Sequence, residues 1–286
     1  MIALSVAIVA VAVAVSLLSR VPSGVDQPTS VKPVGVKPVG VKPAGTTLRP
    51  PASWKLTFNS SFAGNRIDKH IWGTCYPWSP NGCTNFGSFN KEEKEWYLAS
   101  QDQVNNGVLH LVAERRPTMG RNQQGAPMKY ACRSGIVTTY PGFRFKYGYI
   151  QIIARIPYGT GLWPALWLAA ANQKWPPEID MLEHWGTNPV AKVFLHPTHG
   201  PAQGGAFKAP NLSKGWHSFT IYWTKSHLIW YHDGHQVLAT STSIPQQTMY
   251  FIANLAVTDA RPGGCSGSVL IKSVKVWQPV GAKASA

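Results

Sequence analysis

Trp175-Pro176-Pro177-Glu178-Ile179-Asp180-Met181-Leu182-Glu183-His184-Trp185 holds three of the chain's twelve acidic residues within six positions. Apolar residues separate the acids, and Trp stands at both ends. Side chains of a β-strand alternate faces with period two. Glu178 and Asp180 therefore share one face, and Ile179 points to the other. A regular strand would turn Leu182 outward with the acids and bury Glu183. One extra residue at Met181-Leu182, a β-bulge, resets the phase and returns Glu183 to the acid face. The two Glu Cα atoms then stand about four strand rises apart, roughly 13 Å. Side chains leaning together close that gap to about 5–5.5 Å, the carboxyl separation of a retaining glycosidase pair.

In that arrangement Glu178 is the candidate nucleophile and Glu183 the candidate general acid/base. Asp180, between them, can hydrogen-bond the nucleophile, and its charge can raise the pKa of a neighbouring carboxylic acid. Spacing alone also allows a solvated acidic edge strand. The aromatic flanks and the scarcity of acids elsewhere favour a site.

Upstream stands Gly161-Leu162-Trp163-Pro164-Ala165-Leu166-Trp167-Leu168. Together with Pro177-Glu178-Ile179-Asp180-Met181-Leu182-Glu183 it resembles glycoside hydrolase family 16. The E-x-D-x-x-E form is similar to the bulged branch of laminarinase-like endo-β-1,3-glucanases and related galactanases, whereas lichenase-like enzymes carry the shorter E-x-D-x-E. The resemblance covers residues 54–279. It implies an all-β fold, a β-sandwich jelly roll of two curved antiparallel sheets with an open concave cleft. It also implies a retaining endo-glycosidase needing no cofactor and no metal for its chemistry, with β-1,3-glucan as the first expectation for substrate. An agarase- or carrageenase-like galactanase and a transglycosylase are the alternatives on this scaffold. A non-catalytic glycan-binding module is the rival from another class, although a lectin has no use for a costly buried acid pair.

The resemblance carries further residues. Trp163 and Trp167, four apart on one strand face, are expected near the cleft, with Trp163 favoured for stacking on a sugar; two packed core Trp are the plain alternative. His196 in Val193-Phe194-Leu195-His196 resembles a cleft His that can bond Asp180 or a sugar hydroxyl. Asn90 and Trp96, in Asn90-Lys91-Glu92-Glu93-Lys94-Glu95-Trp96-Tyr97, are carried over as sugar contacts, against the alternative of a charged loop with a buried Trp. The segment Ser134-Gly135-Ile136 has Ile136 where Arg is frequent, which removes a donor fork and leaves the exact substrate open. Asn59-Ser60-Ser61-Phe62 and Ser273 stand where the family often has acids, which weakens any case for its structural calcium. Two His and three acids could suggest zinc, but the acids follow strand spacing and no H-E-x-x-H is present.

The remaining chain agrees with a sandwich. Short β-branched and aromatic runs recur between Gly, Pro and Asn breaks, with no long amphipathic helix. Tyr147-Gly148-Tyr149-Ile150-Gln151-Ile152-Ile153-Ala154-Arg155 reads as a core strand. Trp216-His217-Ser218-Phe219-Thr220-Ile221-Tyr222-Trp223 and then Leu228-Ile229-Trp230-Tyr231-His232-Asp233-Gly234 form a hairpin pattern, and Asp233-Gly234 is a strong turn signal. His217 reads as structural.

The chain has 286 residues, 12 of them Trp and 10 Tyr, enough for one large all-β domain with extensions. Residues 1–18 are almost wholly apolar, which suits a signal peptide or a short membrane anchor, although no Lys or Arg precedes the run. Residues 31–45 repeat a Val-Lys-Pro-Val-Gly-like pentad and read as a semi-stiff spacer, with three Lys that could rest on an anionic wall. The expected organisation is 1–24 leader or anchor, 25–53 linker, 54–280 catalytic domain and 281–286 tail. The expected setting is secreted, or membrane-anchored with the domain outside. Four Cys fit export. Cys75 with Cys83 and Cys132 with Cys265 are the preferred pairs among three possible pairings, and close Cys-x-x-Cys pairs for a metal are lacking. The net charge is +15. Residues 1–50 supply five basic residues against Asp26, so most of the positive charge belongs to the domain. That permits attraction to anionic glycans, cell-wall polymers or acidic headgroups. No basic helix or basic-aromatic interleaving points to nucleic acid. The expected partner is a polysaccharide and the expected state a monomer.

Overall fold

The structure, a computed structural model, describes residues 48–78, 93–122 and 125–281. The apolar run 1–18, the repeat 31–45, Cys83 and Asn90 lie outside the described residues. Among the described residues no helix is long and apolar enough to cross a membrane.

In chain order the strands are β1 Trp54–Ser60, β2 Glu95–Tyr97, β3 Asp102–Asn105, β4 Val108–Ala113, β5 Thr118–Arg121, β6 Pro127–Tyr130, β7 Cys132–Ser134, β8 Ile136–Thr138 and β9 Gly148–Arg155. They continue with β10 Leu162–Ala170, β11 Glu178–Glu183, β12 Val190–His196, β13 Gln203–Lys208, β14 His217–Trp223, β15 Leu228–His232, β16 His235–Thr240, β17 Met249–Val257 and β18 Gly267–Pro279. One short 3-10 turn, Ala99–Gln101, interrupts them. Two large antiparallel sheets result. One runs β16-β15-β14-β9-β18-β4-β3, with β1 also on β18; the other runs β13-β12-β11-β10-β17-β8. The all-β sandwich expected from the sequence is the fold observed. β18 is long enough to serve both β4, through Gly267–Ile271, and β1, through Val274–Pro279, along one edge.

Strand alternation builds the core between the sheets. Ile150, Ile152 and Ala154 of β9, with Phe219, Ile221 and Trp223 of β14, are fully buried on the inner face. Leu162, Leu166 and Leu168 of β10 meet them from the opposite sheet. Alternate residues of that second sheet face outward and make the cleft: Trp163, Ala165, Trp167 and Ala169 of β10, then Tyr250, Ile252, Asn254 and Ala256 of β17. Cys132 and Cys265 form a disulfide. Cys75 is also disulfide-bonded, and Cys83, its expected partner, is outside the described residues.

The bulge in the acid strand falls where the alternation demanded it. Asp180 pairs with Trp167 and Leu182 with Leu166, so Met181 is extra on the β10 side. On the other side Asp180 pairs with Phe194 and Glu183 with Lys192. Both bulge residues face inward, with Met181 at 3% and Leu182 at 0% exposure. A bulge leaves ladder groups unpaired. The Asp180 carbonyl accepts a 2.8 Å hydrogen bond from the Trp230 indole N–H, which reaches across from β15 of the opposite sheet. Trp230→Phe keeps the aromatic packing and leaves that carbonyl buried without its donor. We expect a loss of about 1–3 kcal/mol in unfolding free energy, measured by urea denaturation at unchanged m-value.

Candidate active site

β10, β11 and β12 bring the candidate residues together. Glu178 pairs across the ladder with His196 and Ala169, Asp180 with Phe194 and Trp167, and Glu183 with Lys192 and Ala165. All three acids lie on the cleft face, with Ile179, Met181 and Leu182 beneath them in the core. His196 Nε2 stands 3.5 Å from Asp180 Oδ2 and 3.7 Å from Glu178 Oε1. Trp163 donates its indole N–H to Glu183 Oε1 at 3.0 Å. Trp167 donates instead to Asn254 Oδ1 at 2.9 Å, and Asn254 in turn donates to the Tyr97 hydroxyl at 3.1 Å. Asp180 Oδ2 is buried with no hydrogen-bond partner, so the bond to the nucleophile expected from the sequence is not made by that oxygen.

The two glutamates meet different surroundings. Burial raises the Glu178 pKa well above its ordinary value, and the adjacent Asp180 raises it further, while His196 and the Trp175 side chain act in the opposite direction. Burial also raises Asp180, with Glu183 adding to it. Glu183 is raised by burial too, but the Trp163 N–H, His196 and Lys192 pull it back. Three desolvated carboxyls this close do not all ionise together. Burial and mutual repulsion thus favour the protonated forms within the cluster.

Aromatic rings wall the cleft. Trp163 stacks on Trp185 with centroids 5.7 Å apart, and the Lys192 ammonium lies 5.3 Å from the Trp185 ring. Trp175 is 57% exposed beside His196. Tyr76 and Trp78 stack on each other and flank Trp167. Trp96 is placed differently: it is buried against Tyr130 and lies over Gly120, whereas its neighbours Glu95 and Tyr97 bond Val257 and Asn254 of β17. With 7% of its surface exposed, Trp96 offers little area for a sugar. Asn254, Trp175, Trp185 and Lys192 are site neighbours that the sequence reading did not single out. Asn254 leaves one signal, a lone amide within the apolar strand Met249–Val257. Lys192 leaves none, because a single exposed Lys is ordinary.

Two places bear on metals. One atom each of Glu178, Asp180 and His196 lies within 4.8 Å of the others, close enough to chelate a cation; an ion held there would occupy the carboxylate proposed below as nucleophile. The residues carried over for the family's structural calcium, Asn59, Ser61 and Ser273, do share one hollow. Lys272 and Lys275 line it as well, and no carboxylate does. Calcium needs several oxygens with carboxylate charge, so this donor set does not fit it.

Glu178 also gives a stability test. A carboxyl whose folded pKa is raised is stabilising while protonated, and that contribution is lost as pH rises above its ordinary value. Glu178→Gln should therefore raise the melting temperature at pH 7. The gain should shrink towards zero at pH 4, where the carboxyl is largely neutral in both states. Calorimetric melting at the two pH values measures it.

Comparison with known proteins places this geometry. The family described as Glycosyl hydrolases family 16 matches residues 90–263. The Rhizobium meliloti endo-1,3-1,4-beta-glycanase EglC is 30% identical over 211 residues, which cover 69% of this chain and 43% of that protein. The chain thus spans less than half the length of that relative. The laminarinase catalytic domain of Thermotoga maritima is 26% identical, with a TM-score of 0.66 over 79% of this chain and 98% of that one. The Pyrococcus furiosus endo-beta-1,3-glucanase shares the fold, at 22% identity and a TM-score of 0.68 over 79% of this chain and 95% of its own. The chain belongs to glycosyl hydrolase family 16.

Proposed function

We propose that this chain is an exported endo-glycosidase that hydrolyses a β-linked glucan, β-1,3-glucan first, with retention at the anomeric carbon. The observation that carries the reading is the bulged strand, which sets Glu178 and Glu183 on one face with Asp180 between them. Glu183 protonates the glycosidic oxygen while Glu178 attacks the anomeric carbon. The C–O bond to the leaving sugar breaks as the bond to Glu178 forms. Glu183, now ionised, takes a proton from water, whose oxygen displaces Glu178 and releases the sugar. Trp163 orients the Glu183 carboxyl, and His196 faces Glu178 and Asp180. The Trp163–Trp185 pair offers stacking area beside the proton donor. The names of the relatives support a β-glucan, and the paired Cys residues are in keeping with export.

Incubation of the full chain with laminarin, lichenan and agarose, followed by product analysis, tests the substrate. Oligosaccharides from laminarin are the expected outcome. Products from agarose alone would keep the chemistry and replace the glucan, and binding without products would point to a glycan-binding protein. Glu178→Gln should lower kcat at least about a thousandfold while largely sparing binding, measured by calorimetry with laminari-oligosaccharides.

Trp163→Phe tests the proton donor. Loss of the indole N–H removes a bond to the charged form of Glu183, so the Glu183 pKa rises. Activity that needs protonated Glu183 then persists to higher pH. The alkaline limb of the kcat profile should move upward in the variant, and an unmoved limb would assign the proton to another group.

A further inference from the structure

We infer that the chain carries a zinc-type divalent metal site made of His217, His232 and Asp233 at the open end of the β14–β15 hairpin, beside the β15–β16 turn, on the sheet opposite the acids. One ligand atom from each residue lies within 4.8 Å of the other two. Two imidazoles and one carboxylate are a donor set that suits zinc, which takes nitrogen and oxygen ligands tetrahedrally.

Strand pairing and the turn after β15 explain why the three meet. Asp233 and Gly234 both have positive φ, 48° and 80°, which makes a tight two-residue turn from β15 into β16. His217 opens β14 and His232 closes β15, so the hairpin sets them side by side. Both lie in phase with the inward residues of their strands, Phe219 for His217 and Trp230 for His232. The backbone then fixes the carboxylate. Asp233 Oδ1 accepts the Ser218 N–H at 2.7 Å, and the Asp233 N–H donates to the Ser218 carbonyl at 2.9 Å. That leaves Oδ2 turned to both rings, 2.7 Å from His217 Nδ1 and 3.4 Å from His232 Nε2.

A hydrogen bond to Asp233 accounts for only one ring. His217 Nδ1 has its partner in Asp233. His232 Nε2 is buried without a hydrogen bond, although it points at the same oxygen. The rings are also held for binding. Phe207 stacks on His232 at 4.2 Å, and the two imidazoles stack on each other at 5.4 Å. Tetrahedral zinc with bonds of about 2.0–2.1 Å wants donor atoms about 3.3 Å apart. The two separations to Oδ2 lie on either side of that value. As the metal takes Nδ1 of His217, the neutral ring keeps its one proton on Nε2. The Ser218 N–H on the other carboxylate oxygen is the outer bond that orients a ligand. Asp233 is 40% exposed, which leaves an entry path and room for a water as fourth ligand.

All three ligands belong to one hairpin, so the ion would staple the end of β15. Trp230, two residues before His232 on the same face, holds the Asp180 carbonyl. The site is therefore structural, and its test does not depend on glycosidase activity.

Full-length protein stripped with chelator and dialysed against micromolar Zn2+ should retain one zinc per chain, counted by elemental analysis. Zinc at about a hundred times its dissociation constant should raise the melting temperature by about 5 °C or more. Asp233→Asn keeps an oxygen for the Ser218 N–H and loses the carboxylate charge, and His232→Gln removes one ring. Each should weaken zinc binding at least about tenfold, and His196→Ala should leave it unchanged. No retained zinc in the parent protein overturns the proposal. So does zinc that is lost with His196→Ala and kept with Asp233→Asn, because the ion then sits among Glu178, Asp180 and His196 in the cleft.

Discussion

The bond from the Trp230 indole to the Asp180 carbonyl is the contact on which the acid face depends. A strand cannot present Glu178, Asp180 and Glu183 on one side without an extra residue, and an extra residue leaves backbone groups unpaired. Here the surplus lies at Met181, and the adjacent carbonyl is taken up by a ring from the other sheet, 50 positions along the chain. Met181 and Leu182 fill the core beneath. The spacing of the carboxylates is thus a property of the packed sandwich and not of one strand, and loosening the two sheets would also loosen the site.

The acid face works against stability. Three carboxyls crowd together where burial raises each of them. Among the described residues, the His196 ring lies on one side and the Lys192 ammonium on the other. The fully apolar layer of β9, β14 and β10 underneath carries that load. Such strain at a site, offset by packing elsewhere, is common in enzymes. Burial is the largest influence on both glutamates, and their neighbours differ. Glu183 has an indole donor and a lysine, and Glu178 has Asp180 beside it.

The outer sheet has a polar cluster of its own. His217, His232 and Asp233 stand at the open end of a hairpin whose middle supplies Trp230. Order at that hairpin end and order at the bulge are therefore linked through one strand.

What the sequence alone determined is what alternation and local chemistry can express. Period two placed Glu178 and Asp180 together, demanded a bulge before Glu183, and set Trp163 and Trp167 on one face. Apolar strands with frequent breaks expressed the sandwich, because half-buried strands must alternate or bury both faces. Four Cys left three pairings open, and the fold selected Cys132–Cys265 by bringing residues 133 positions apart together. Tertiary structure alone decided the rest. Asn254 reaches Trp167 and Tyr97 only through the β10–β17 ladder and the segment that lies over it. Trp96 looked like its neighbours in sequence, yet it turns to Tyr130 while Glu95 and Tyr97 turn to β17. His217 reads as an ordinary structural His in the sequence, and only the pairing of β14 with β15 sets His232 and Asp233 beside it. Contacts between distant residues leave no periodic trace in the chain, since which strand lies beside which is settled by packing of the whole sandwich.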